Sequence, residues 1–217
     1  MPIDPLWTLV VLSGALVLVS LVPSPPNDLW WHLKIGELIL TEGRIPTTAR
    51  FAWTLPPDQP FVYGAWLGEL LMALVWRVGR LELLVFARNL LFGLLLVSVA
   101  VETRRRTGSW RWPALAVALV TGMSVNNSIV RPQIWSWLPF AALLALLSRF
   151  AAGRLDRRLL LLIAPLMALW ANAHGAFVLG ILLLGAFVVG EGVTAALRRP
   201  GALSRTELLW LAGAAAL

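Results

Sequence analysis

GAWLGELLMALVWRVG, from Gly64 to Gly79, is apolar enough to pass for a transmembrane helix, and the topology of the whole chain turns on whether it is one. A helix needs about 20 predominantly apolar residues to cross a bilayer, and this stretch is shorter and carries Glu69. Counting it as a span would also carry Arg104, Arg105 and Arg106 to the outside, against the tendency of arginine to collect in cytoplasmic loops. The segment is read instead as an external helix lying in the membrane interface. The second span then runs from about Leu83 to Val101, and the region from Pro23 to Glu82 becomes one long external loop.

The other arginines set the remaining crossings. They fall in bunches: Arg104, Arg105, Arg106 and Arg111, then Arg149, Arg154, Arg157 and Arg158, then Arg198, Arg199 and Arg205. Two intervals, Arg111 to Arg149 and Arg158 to Arg198, each hold roughly 40 mostly apolar residues, enough for two crossings and too many for one. Each is a membrane hairpin, with its turn, Asn126 to Arg131 or Trp170 to Gly175, on the external side. Leu6 to Val22 is a first span ended by Pro25 and Pro26, with the N-terminus cytoplasmic. Arg88 lies inside the second span near its outer end, where it is expected to snorkel to the headgroups. The final LLWLAGAAAL is too short to cross and reads as the start of a further span.

The expected fold is all-α: a polytopic membrane helical bundle of about six transmembrane helices plus the start of a seventh. Residues 1–217 form a single transmembrane domain, read as the N-terminal part of a longer protein in a bacterial inner (plasma) membrane. The external loop 23–82 carries amphipathic helices near 28–41 and 64–78. In the first, Leu29, Leu33, Ile35, Leu38 and Ile39 alternate with Lys34, Glu37 and Glu42, and Gly43 is its stop. Pro46, Pro56 and Pro57 make the following segment irregular, and Trp30, Trp31, Trp53, Trp66 and Trp76 suit the headgroup layer.

Composition agrees. The chain is 59% hydrophobic and only 13% charged, with a mean hydropathy of +0.80, whereas about a quarter of a soluble domain is charged. A net charge of +7 would suggest nucleic acid in a soluble chain, but here it follows from membrane topology, so no nucleic-acid partner is expected. The absence of cysteine excludes disulfides, thiolate metal sites and thiol nucleophiles.

Three polar constellations share the external side: Asp28 with His32, Asn126 to Gln133 (NNSIVRPQ), and Trp170 to Gly175 (WANAHG). Asp28 and His32 lie one helical turn apart, and a carboxylate beside an imidazole can bind a metal, activate a hydroxyl or orient a phosphate. Each group also has a plainer reading. Asp28 follows Asn27 and can cap a helix, Asn126, Asn127 and Ser128 can be turn residues, Arg131 can anchor in the interface, and Asn172 and His174 can satisfy a tight turn at Gly175.

The segment DLWWHLKIGELILTEGRIP, followed by WLGELL, RPQ and WANAHG, resembles bacterial membrane proteins related to the GT-C superfamily. That superfamily comprises integral-membrane glycosyltransferases, including protein mannosyltransferases and oligosaccharyltransferase catalytic subunits. The resemblance covers nearly the whole chain and implies transfer of a sugar from a polyprenyl-phosphate donor to an acceptor at the external face. It implies that Asp28 and His32 are catalytic and that Arg131, Asn172 and His174 bind substrate. It also implies a divalent metal such as Mg or Mn on Asp28, with the lipid-linked donor and membrane lipids as partners. The family pattern would place further acidic and histidine residues in TTARFAW and YGAWL, where this chain has Ala49, Arg50, Gly64 and Ala65. Asp58 and Glu69 are the nearby substitutes. Two other classes fit the residues: a transporter or channel subunit with Arg88, Asn172 and His174 along a path, and a noncatalytic structural or assembly subunit of a membrane complex.

Overall fold

The computed structural model describes residues 3–24, 28–56 and 58–216. Pro25, Pro26 and Pro57, read above as chain breaks, lie outside them. The described residues are all-helical, with eight α-helices: α1 (Ile3–Ser20), α2 (Leu29–Glu42), α3 (Trp66–Thr107), α4 (Arg111–Ser124), α5 (Trp137–Ala151), α6 (Ile163–Ala173), α7 (Phe177–Ala196) and α8 (Arg205–Ala216). Short 3-10 turns at Val125–Asn127, Pro132–Ser136 and Arg157–Leu162 border α4, α5 and α6. Between α2 and α3 the chain is irregular, and one antiparallel bridge ties Thr48 to Pro60.

The stretch that decided the topology forms the first part of α3. Gly79 (φ −147°, ψ 25°) and Arg80 (φ 52°, ψ −146°) leave the helical region and divide it into 66–78 and 81–107. Glycine suits this point because a Cβ there would come within 2.6 Å of the Leu83 Cβ. The positive φ of Arg80 costs a non-glycine residue on the order of 1–3 kcal/mol. Its guanidinium lies over the Trp76 ring, 5.5 Å from the centroid, and this contact across the kink helps to hold it.

Three segments are long and apolar enough to cross a membrane: Trp66–Thr107, Pro132–Ala151 and Phe177–Ala196. The other expected crossings coincide with helices but fall short in length, since α4 has 14 residues and α6 has 11. Pro113 and Pro165 lie early in these two helices, and a 3-10 turn adjoins each at one end, after α4 and before α6.

Arg88 does not snorkel. It is fully buried, donating from Nη2 to the Val19 carbonyl at 2.9 Å, from Nη1 to the Val22 carbonyl at 3.1 Å and from Nε to Asn89 Oδ1 at 3.1 Å. The Val19 carbonyl, in the last turn of α1, also accepts the Val22 N–H at 3.1 Å, and the Val22 carbonyl lies just beyond the helix, so a side chain of α3 ties down the C-terminus of α1.

The amphipathic face of α2, with Leu29, Leu33, Ile35 and Ile39 buried, packs on the first part of α3. Gly36 makes the crossing close: a Cβ there would lie 2.2 Å from the Glu69 carbonyl oxygen. Arg77 clasps Glu37 across the same crossing through Nε (3.0 Å) and Nη2 (2.7 Å), which holds the Glu37 carboxyl below its usual range. One core joins α1, α4 and the second part of α3, and another joins α5 to α8. The start of α1 meets the start of α4 where the Thr8 hydroxyl donates to the Trp110 carbonyl, so the first arginine bunch lies at that end of the bundle. Arg149 at the end of α5 faces Glu102 there, while α2, the Val125–Ser136 region and the end of α6 gather at the opposite end.

Candidate functional site

Asp28 occupies the N-cap position of α2, yet its carboxylate accepts no capping hydrogen bond. It forms an ion pair with Arg131, which enters the Pro132–Ser136 turn in extended conformation. Both side chains remain partly open, 50% and 31% exposed, so the pair sits at a surface that a ligand can reach. One turn further, His32 Nδ1 lies 2.9 Å from Glu69 Oε1. Glu69 comes from the first part of α3 and is nearly inaccessible, and its Oε2 is buried with no hydrogen-bond partner among the described residues. An unmatched buried carboxylate oxygen costs about 1–3 kcal/mol or more, an arrangement that keeps an acceptor ready for a donor. With Nδ1–H donated to Glu69, the imidazole keeps Nε2 as its free acceptor.

His174 follows α6 and belongs to a second chain of bonds. Trp170 Nε1–H donates to Ser136 Oγ at 2.9 Å, and Ser136 Oγ lies 3.0 Å from His174 Nδ1, which also accepts the Ala176 N–H at 3.2 Å. Since Ser136 Oγ already receives the indole proton, its own hydrogen is assigned to Nδ1, and His174 carries its proton on Nε2. Burial pushes the His174 pKa below its usual value, and His32, whenever it is protonated, and the Arg131 guanidinium push it further the same way. His174 therefore acts as a neutral hydrogen-bonding group and not as a cation at neutral pH. It borders an apolar cavity of about 420 Å³ with Trp137, Phe140 and Leu179, and Asn127 and Gln133, on either side of Arg131, complete its rim.

Asn172 is engaged at both ends of its amide. Trp66 Nε1–H donates to its Oδ1 at 2.7 Å and its Nδ2 donates to the Ala168 carbonyl at 2.8 Å. It fastens α6 to the start of α3. Gly68 serves the same junction, where a Cβ would lie 2.3 Å from the Ala173 carbonyl oxygen and the Trp135 indole donates to the Gly68 carbonyl. Ser128 is buried and bonds the Val125 carbonyl, while Gln133 bonds the Asn127 carbonyl, so NNSIVRPQ is a hydrogen-bonded turn that presents Arg131.

Asp28 and His32 from the start of α2, Arg131 and His174 thus converge from three separate segments at one end of the bundle, joined by Glu69 and Ser136. In the sequence Glu69 stands out as a charge in an apolar stretch and as a nearby carboxylate, without a partner, and Ser136 in WSWLPF carries no signal. The donor set does not fit a divalent cation. Asp28 is paired with Arg131, and among the described residues no three His, Asp or Glu side chains gather as a metal cage, whereas hard cations take about six oxygen ligands. Compared with family models, curated proteins and solved structures, the chain matches none.

Proposed function

We propose that this chain is a polytopic membrane glycosyltransferase of GT-C type, taking a sugar from a polyprenyl-phosphate donor at the external face. The observation that carries the reading is the juxtaposition of a carboxylate-backed imidazole (Glu69–His32), a surface guanidinium (Arg131) and an apolar cavity bordered by His174. A lipid-linked sugar phosphate is an amphiphile with one anionic joint, and these groups match its parts. The tail has an apolar recess, the phosphate has Arg131, and the acceptor has a base.

In the proposed reaction an acceptor hydroxyl attacks the anomeric carbon and passes its proton to His32 Nε2. Glu69 stabilises the imidazolium and fixes its orientation. As the bond between the sugar and the phosphate oxygen breaks, the electron pair stays on the phosphate, where Arg131 receives the charge in a bidentate contact and exchanges Asp28 for it. His174 Nε2–H donates to the same group as a neutral partner. Asp28 holds the guanidinium aimed until the phosphate arrives.

The membrane placement supports this reading. α1 alone, and α4 and α6 together with their 3-10 turns, reach about 27–29 Å, close to the hydrocarbon thickness of a bilayer. With six crossings and the arginine bunches cytoplasmic, the N-terminus is inside and the site outside.

Purified protein in nanodiscs, offered polyprenyl phosphate and polyprenyl-phosphate monosaccharides, tests the proposal. Arg131→Gln should weaken polyprenyl phosphate binding by about tenfold or more. His32→Ala should leave binding intact and slow transfer about 10²-fold or more. Unchanged binding in the first variant and unchanged transfer in the second would overturn the assignment.

A further inference from the structure

At the opposite end of the bundle, a cavity of about 810 Å³ opens between the ends of α3, α5 and α7. Its polar wall carries Arg105, Arg106, Arg149 and Arg154 against Glu102 and Glu191, a surplus of two positive charges, and Phe187 supplies an apolar side. Internal pairing leaves this charge largely unspent. Glu102 takes Arg106 at 2.9 Å, but Arg149 Nε stands 3.8 Å from Glu102 Oε2, too far for a hydrogen bond, and both atoms are buried without hydrogen-bond partners. No side-chain bond joins Arg105 or Arg154 to another described residue. Arg105 and Arg154 are exposed, and an anion in the cavity would give their guanidiniums acceptors.

We infer that this cavity is a binding site for a phosphate-bearing anion, held by the guanidiniums of Arg105 and Arg154, which line it and are engaged by no other side chain among the described residues. Phosphate has the three acceptor oxygens and the charge that such a set of planar forks recognises. The phosphodiester headgroup of an anionic membrane lipid and free inorganic phosphate share this chemistry. Basic pockets between membrane helices on the cytoplasmic side favour the lipid headgroup, with its glycerol against Phe187. The inference rests on the membrane placement and is independent of sugar transfer at the other end.

The test is calorimetric titration of the full chain in neutral detergent with dihexanoyl phosphatidylglycerol, dihexanoyl phosphatidylcholine and inorganic phosphate. Phosphatidylglycerol should bind about tenfold or more tighter than phosphatidylcholine. The double variant Arg105→Gln with Arg154→Gln should lose about tenfold or more in affinity, while Arg199→Gln with Arg205→Gln, which removes equal charge elsewhere, should change it less than about twofold. Glu191→Gln removes a repelling carboxylate and should tighten binding severalfold, an arm that holds if the double arginine variant does not fold. Inorganic phosphate binding as tightly as phosphatidylglycerol, with the same dependence on Arg105 and Arg154, supports the site and identifies free phosphate as its source. Equal binding of the two lipids with no binding of phosphate, equal losses in the two double variants, or an unchanged Glu191→Gln would overturn the inference.

Discussion

At the scale of single residues, His174 is the group whose chemistry departs furthest from what its surroundings in sequence suggest. A histidine in WANAHG reads as a turn residue or a substrate-binding group, whereas burial and the facing guanidinium of Arg131 make it a neutral partner in the folded protein. The linkage has a definite sign. The folded pKa lies below the unfolded value of about 6.5, so the unfolded chain binds the proton first and stability is lost as pH falls from about 6.5 through the folded pKa. Thermal melts in detergent from pH 7.5 downward should show this decline, and His174→Gln should flatten it; an identical profile in the variant would contradict the assignment. Asp28, His32, Arg131 and His174 were legible in sequence as sharing one side because arginine topology alone sorts the loops. Their pairing was not. The direction of the Glu69 carboxylate depends on where α2 crosses α3, and Ser136 matters only because Trp170 and His174 come to it from another segment.

At the scale of elements, the crossing of α2 over the first part of α3 builds the His32–Glu69 pair, and Gly36 sets its closeness. Gly36→Ala would drive a methyl group into the Glu69 carbonyl, which is backbone and cannot step aside. Overpacking of this kind costs about 1–3 kcal/mol. Detergent melts of Gly36→Ala should show that loss, with transfer falling further than in Gly14→Ala, where a Cβ meets nothing within 4 Å. Equal behaviour of the two variants would mean the crossing has slack. The separation of 64–78 from the following span was readable from length and charge, and the break falls at Gly79 and Arg80, next to the expected boundary. Hydropathy could not reveal that Arg88 turns inward. Snorkelling and capping call for the same long cationic side chain, and the carbonyls that decide between them lie 66 and 69 residues earlier in the chain.

For the whole molecule, the two ends of the bundle differ in kind. One gathers acid–base pairs and an apolar recess, the other a basic cavity, and the proposed topology assigns them to opposite compartments. Because the chain has no cysteine, single substitutions report sidedness directly. Thr47→Cys and Asn127→Cys, both exposed at the first end, should react with an impermeant maleimide added outside intact cells, and Ala152→Cys and Thr206→Cys only after permeabilisation. Labelling of all four from one side would reject the bundle as a spanning structure. Ser128 is a poor probe, since it is fully buried.

The capping of α1 by Arg88 also sets an order of events during synthesis. At about 5–20 residues per second, α1 waits roughly 3–14 s between its own emergence and that of the guanidinium that closes it. Through that interval the Val22 carbonyl lacks the guanidinium and the Val19 carbonyl keeps only the Val22 N–H, which is tolerable in a wet headgroup layer but not in hydrocarbon. In the proposed topology, docking of α3 is then the event that lets the first helix settle to its final depth, and loss of Arg88 is expected to show first as slow maturation and proteolysis of newly made chains.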